Sequence, residues 1–118
     1  MNLSDITDIK KLLSRHGFNF SKSLGQNFLI NPEICPQMAT ECGVGKGVGV
    51  LEIGPGVGVL TAELAKRGDK VVSVELDKRL LPVLSETLAD FDNVKIIQGD
   101  ILKIDLQKLI SEEFSGMD

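Results

Sequence analysis

The chain has no apolar run long enough to cross a bilayer; its uninterrupted apolar stretches are only a few residues long. It has no apolar block at its start either. Met1 to Lys11 carries Asp5 and Asp8, so a secretory signal is not expected. The expectation is a cytoplasmic chain with no membrane partner. Cysteine is scarce, with only Cys35 and Cys42, and His16 is the one histidine. With no CxxC spacing, a structural zinc site is excluded and no metal is expected. The two cysteines fall seven apart in a predicted helix, about 10 Å along its axis. That exceeds the limit of about 7 Å between the Cα atoms of a disulfide. Both are expected to be buried small apolar side chains. No repeat, linker or low-complexity stretch is visible. Basic charge is not in excess, because the net charge is −4, which argues against a general nucleic-acid binder.

What remains has globular proportions: 118 residues, 42% hydrophobic and 25% charged. That is the size of one small domain. The charge is unevenly placed. Residues 1–30 carry Lys10, Lys11, Arg15 and Lys22 against Asp5 and Asp8, a net of +2, which leaves −6 on residues 31–118. A basic arm on an acidic body suits contact with a phosphate backbone at one edge; the plainer reading is a solvated helix face.

The pattern predicts a helix over 4–16, capped by Ser4 or Asp5 and ended by Gly17 in the left-handed conformation. Ile6, Ile9 and Leu13 form its apolar stripe. His16 falls in its last turn, where a partial positive charge suits the helix dipole, and reads as a helix-end residue. Residues 18–30 have no period and read as a loop or arm containing Phe18, Phe20 and Phe28. Asn31-Pro32-Glu33 then opens a helix running to about Cys42 and closed by Gly43. Residues 48–53 read as a strand buried on both faces. A glycine turn leads into a helix over 59–67, closed by Gly68. A second strand covers 70–75. A helix over 77–89 carries Leu80, Leu84 and Leu88 on one face, with Pro82 disturbing its start. A third strand covers 94–97, and the tail predicts a short helix over 105–113. Strand–helix–strand–helix–strand with such connections implies parallel strands and right-handed crossovers, half of a doubly wound α/β sheet.

The informative unit is Glu52-Ile53-Gly54-Pro55-Gly56-Val57-Gly58. A strand feeding a helix through such a turn needs positive φ and close backbone approach, which glycine supplies. Dinucleotide sites want GxGxxG, whose third glycine lets helix and strand pack around a pyrophosphate. Here that position is Val59, and the spacing is GxGxG. S-adenosylmethionine has no pyrophosphate, so the spacing favours it over NAD. Glu75 ends the second strand, 21 residues after Gly54. A carboxylate there can accept from both ribose hydroxyls of either cofactor. Asp100 ends the third strand. It can accept from an adenine amine beside the Ile101 N–H, or be an ordinary turn aspartate. Glu52, among apolar neighbours, needs a partner if buried, and is placed near the cofactor's amino group or orienting the loop. Gly43-Val44-Gly45-Lys46-Gly47 is not a P-loop, since it precedes a strand and no Ser or Thr follows its lysine.

Four segments together resemble successive motifs of the small-subunit ribosomal RNA adenine dimethyltransferases. They are Lys22-Ser23-Leu24-Gly25-Gln26-Asn27-Phe28-Leu29, Leu51 to Thr61, Val74-Glu75-Leu76-Asp77 and Gly99-Asp100. The resemblance implies the Rossmann-like fold of S-adenosylmethionine-dependent methyltransferases. It also implies dimethylation at N6 of two adjacent adenosines in the 3′ hairpin of small-subunit ribosomal RNA. Carried over, Asn27, Leu29 and Gly54 would meet the cofactor's methionine end, Glu75 its ribose and Asp100 its adenine amine. The family's catalytic Asn-Leu-Pro-Tyr follows a fourth strand, and no such tetrapeptide occurs before Asp118.

By that resemblance, residues 1–30 are a basic helix and arm, and residues 31–118 are the first part of the cofactor-binding domain. The expectation is an N-terminal fragment, inactive by itself, lacking the rest of that domain and a C-terminal helical domain. Its cut sheet would leave the strand at 48–53 with an open apolar edge, to be covered by another copy or a rearrangement. Competing readings are a macrolide-resistance methyltransferase acting on large-subunit RNA, an NAD-dependent oxidoreductase, and a non-catalytic cofactor- or RNA-binding module.

Overall fold

Three parallel strands, β1 (Gly49–Ile53), β2 (Lys70–Glu75) and β3 (Val94–Gln98), form one sheet in the order β1-β2-β3. This is a computed structural model, and it describes residues 5–18 and 34–117. Registers pair Glu52 with Ser73 and Ile53 with Val74, then Ser73 with Ile96 and Glu75 with Gln98. All three strands therefore stop at one edge. The crossovers are α3 (Val59–Arg67), between β1 and β2, and α4 (Leu81–Thr87), between β2 and β3. Helices α1 (Ile6–Arg15) and α2 (Ile34–Glu41) precede the sheet, and α5 (Leu106–Glu113) follows it.

The alternation along β2 separates two cores. Val71 packs with Ala39, Leu64 and Ala65 on the side of α2 and α3. Val72 and Val74 pack with Leu109 and Phe114 on the side of α5. Leu84 and Leu88 of the α4 segment close onto Ala62, with Leu80, Val94 and Ile96 against them. Each fully buried side chain of this size contributes about 1.5–3 kcal/mol.

Several boundaries follow local rules. Asp5 caps α1 by accepting from the Thr7 N–H at 2.8 Å, and Gly17 has φ +82° after the C-cap His16. Ile9 and Leu13 are buried as predicted, and so is Leu12, which widens the stripe. Asp105 caps α5. The start predicted at Asn31-Pro32-Glu33 lies outside the described residues.

Three expectations are corrected. Residues 49–53 are not buried on both faces; β1 is half-buried apart from Glu52 and exposed Ile53, because among the described residues only β2 pairs with it. Cys35 is buried but Cys42 is exposed, one residue past the end of α2. The single helix over 77–89 is a 3-10 turn, Lys78–Leu80, followed by α4. Pro82 then falls in the first turn, where its missing N–H costs nothing.

Candidate functional site

The edge where the strands stop carries the residues singled out by sequence. Gly54, Gly56 and Gly58 have φ of +72°, +60° and +92°, so this turn demands glycine at each. The Gly54 N–H donates to the Val74 carbonyl at 2.9 Å, which ties the turn to β2. A Cβ built at Gly54 or Gly56 would meet nothing within 4 Å, so open space lies above both. At Gly58 a Cβ would instead stand 3.0 Å from Thr87 Oγ1 and 3.3 Å from Leu84 and Leu88 side-chain carbons. Gly58 is thus a close-packing position that seats α3 against α4. It is also the N-cap of α3, and no side chain caps that helix.

Glu75 is buried at the end of β2. Its Oε1 accepts from the Gly56 N–H at 3.3 Å and its Oε2 from the Asp77 N–H at 2.9 Å. One carboxylate therefore bridges the glycine turn and the turn after β2. A carboxylate offers about four lone-pair positions, so each oxygen can still accept from a ligand. Asp100 follows β3 and is half-buried. Its Oδ1 accepts from the Leu102 N–H at 3.0 Å, which caps a short 3-10 turn. The turn-aspartate reading is therefore realised, and one oxygen is left for other work. Asn27 and Leu29 lie outside the described residues.

Glu52 finds the partners that its burial requires. Ser73 Oγ donates to its Oε1 at 2.7 Å, and Thr61 Oγ1 donates to the same oxygen. Parallel register places Ser73 beside Glu52, and the first turn of α3 brings Thr61 over both. Burial pushes the Glu52 carboxyl up, the two hydroxyls pull it down, and the negative charge of Glu75 adds to the rise; burial wins. Burial likewise raises the Cys35 thiol, with Glu63 and Glu52 adding, so that sulfur is kept unreactive.

Sequence reading missed the apolar residues at this edge. Ile53 at the end of β1 is 60% exposed, and Leu76 just after Glu75 is 65% exposed. The available signal was their place, each next to a singled-out carboxylate at a strand end. Among the described residues no cluster of three His, Cys, Asp or Glu side chains could hold a metal ion. An edge with open glycine backbone, apolar side chains and three carboxylates suits a ligand with hydroxyls, amines and a flat apolar part.

Comparison with known proteins agrees. The family model described as ribosomal RNA adenine dimethylase matches residues 17–117. The chain belongs to the ribosomal RNA adenine dimethylase family. Two of its relatives are named ribosomal RNA small subunit methyltransferase A. The one from Geobacillus thermodenitrificans is 52% identical over 90% of this chain and 36% of its own length. The one from Anoxybacillus flavithermus is 50% identical over 95% of this chain and 38% of its own length. The chain thus spans a little over a third of these relatives. A crystal structure of a dimethyladenosine transferase from Plasmodium falciparum superposes with TM-score 0.59 at 27% identity, over 64% of this chain and 28% of that one. The 23S rRNA methyltransferase ErmE gives TM-score 0.58 at 36% identity, over 62% and 30%. The fold of this family member is the Rossmann-like one of S-adenosylmethionine-dependent methyltransferases.

Proposed function

We propose that the whole protein transfers methyl groups from S-adenosylmethionine to N6 of two adjacent adenosines in the 3′ hairpin of small-subunit ribosomal RNA, in the cytoplasm. The observation that carries this reading is the family match over residues 17–117 together with relatives named for the small subunit. In this reading residues 1–30 are a basic arm, and residues 31–118 contribute the cofactor-binding part of the domain. The open β1 edge is where two copies of these 118 residues alone would pair.

The residues present fit the cofactor. The space over Gly54 and Gly56 admits its methionine end against bare backbone. Glu75, already fixed by two backbone N–H groups, accepts from the ribose hydroxyls. Asp100 accepts from the adenine amine through the oxygen not engaged by Leu102. Asn27 and Leu29 join the methionine end by resemblance. When bound, the cofactor supplies an electrophilic methyl group on its sulfonium. These residues hold and orient it, and they supply no nucleophile. The base partners implied by Asn-Leu-Pro-Tyr do not occur within residues 1–118.

Incubating the whole protein with cofactor and under-methylated small ribosomal subunits should yield dimethyladenosine in the small-subunit RNA. No methylation of those particles would overturn the reading. A second reading, methylation of large-subunit RNA, draws on the likeness to ErmE; product found only in large-subunit RNA would select it.

A further inference from the structure

Among the described residues the buried polar and charged side chains are Glu52, Thr61, Ser73 and Glu75. All of them stand toward the end where the strands stop. Three of them meet on one atom, because Glu52 Oε1 accepts from both Thr61 Oγ1 and Ser73 Oγ. Glu52 is the last residue but one of β1, Ser73 lies opposite it on β2, and Thr61 is the third residue of α3. A single carboxylate oxygen therefore joins β1, β2 and α3. The glycine turn, residues 54–58, runs from β1 to α3, so that oxygen holds the elements at both of its ends.

Core packing does not explain the trio. Taking a carboxylate and two hydroxyls out of water carries a desolvation cost, and apolar side chains of the same shape would fill the space without it. Nor is the start of α3 fixed locally, since its N-cap, Gly58, has no side chain to cap it. The Thr61 hydroxyl anchors the first turn of α3 instead, and it does so on the strand that feeds the glycine turn. The Gly54 N–H donates to the Val74 carbonyl, and the Gly56 N–H to the Glu75 carboxylate. The Gly56 bond, at 3.3 Å, is longer than the usual N–H···O range of about 2.7–3.2 Å, so a small displacement of the turn breaks it. Ser73 also lies two residues before Glu75 on β2. The trio thus borders both parts of the proposed cofactor site, the bare backbone of Gly54 and Gly56 and the Glu75 carboxylate.

We infer that Thr61 is a positioning residue for the cofactor site: acting through Glu52, and together with Ser73, it sets the glycine turn at its distance from Glu75. The inference rests on the proposed cofactor reading. The backbone that would face the methionine end and the carboxylate that would hold the ribose are thereby fixed relative to each other before the cofactor binds. Such preorganisation lowers the ordering cost of binding.

The test is calorimetric titration of the whole protein with S-adenosylhomocysteine. Thr61→Val keeps the shape and removes the hydroxyl, and Ser73→Ala removes the donor on the other side. Each should weaken binding about two- to thirtyfold, the range for residues that act on a site through a neighbour. Thr61→Ser, which keeps the donor, should recover most of the affinity. If Thr61→Val does not fold, Ser73→Ala carries the test. Amide hydrogen exchange of the ligand-free protein gives an independent readout. The Gly54 and Gly56 N–H groups should exchange faster in Thr61→Val and return to the parent rate in Thr61→Ser. The Phe114 N–H, which donates to the Ile110 carbonyl at the end of α5, should keep its rate. Affinities equal to the parent in the folded variants would overturn the inference, and so would a loss of protection that spreads equally to Phe114, since that is general destabilisation. A parent protein that binds no S-adenosylhomocysteine would instead remove the cofactor reading, and the inference with it.

Discussion

Where the strands begin, Lys70 and Lys95 converge on Glu113, with Lys95 Nζ 2.7 Å and Lys70 Nζ 3.7 Å from its carboxylate oxygens. Lys70 also donates to the Glu113 carbonyl at 2.8 Å. Phe114 then covers Gly49 so closely that a Cβ there would stand 2.3 Å from its ring. Where the strands stop, the picture reverses. Glu52 and Glu75 are buried carboxylates whose partners are hydroxyls and backbone N–H groups, and among the described residues neither has a cation. Bare glycine backbone and exposed Ile53 and Leu76 surround them. One end spends its charges on each other and closes over with an aromatic ring. The other leaves negative charge uncompensated and space unfilled, which suits a cofactor that carries positive charge. In the proposed reading, stability and binding fall at opposite ends of the same three strands.

The strongest way to break this contrast is Phe114→Ala. It should cost about 3 kcal/mol of stability, from lost burial plus the cavity left behind. Denaturant unfolding would measure the loss, and cofactor affinity at temperatures where the variant is folded should stay near that of the parent. A large affinity loss with intact folding would show that the two ends are not separable.

Next in size is Glu75→Ala, acting at the other end. Loss of charge-assisted hydrogen bonds to a ribose, at about 1.5–3 kcal/mol each, should weaken S-adenosylhomocysteine binding by at least about tenfold. Titration calorimetry checks it, and unchanged affinity would remove Glu75 from the site.

The smallest effects are the most diagnostic, because the two ends should respond to pH with opposite sign. Glu52 titrates above its ordinary value in the folded protein. Its ionisation therefore costs no stability in acid, and a penalty grows as pH rises from the ordinary carboxylate value to the raised one. Glu52→Gln keeps an acceptor for Ser73 and Thr61, so its stability relative to the parent should rise across that window. Glu113 titrates below its ordinary value because Lys95 is hydrogen-bonded to it, with Lys70 adding. Its contribution is complete above the ordinary carboxylate value and is lost as pH falls through the depressed one. Glu113→Gln should therefore be less stable than the parent at neutral pH and equal to it in strong acid. Thermal melts between about pH 3 and pH 7 would resolve the two slopes; slopes of the same sign would abolish the distinction between the ends.

Much of the fold is legible in the sequence. The glycine turn, the cap at Asp5 and the left-handed Gly17 all follow from rules acting over a few residues. The order of the elements follows from apolar period and breaker residues, and it implied parallel strands because the connections are helical. Gly54, Glu75 and Asp100 could be named because parallel strands joined by helices stop at one edge, so any group just past a strand end faces the same crevice. The missed Leu12 and the misjudged Cys42 show the limit. Burial at the margin of a helix depends on what packs beside it.

Sequence alone determined the family, the order of the elements and which three groups stand at the strand ends, because local chemistry and motif spacing carry that information. Only the tertiary structure decided that Ser73, 21 residues away, would satisfy Glu52. It also decided that β1 would be half-buried, that Phe114 would close over Gly49, and that the Arg79 guanidinium would lie over the Phe18 ring. Those outcomes depend on the register between strands and on how helices cross them. Such relations join distant residues, and no local preference encodes them.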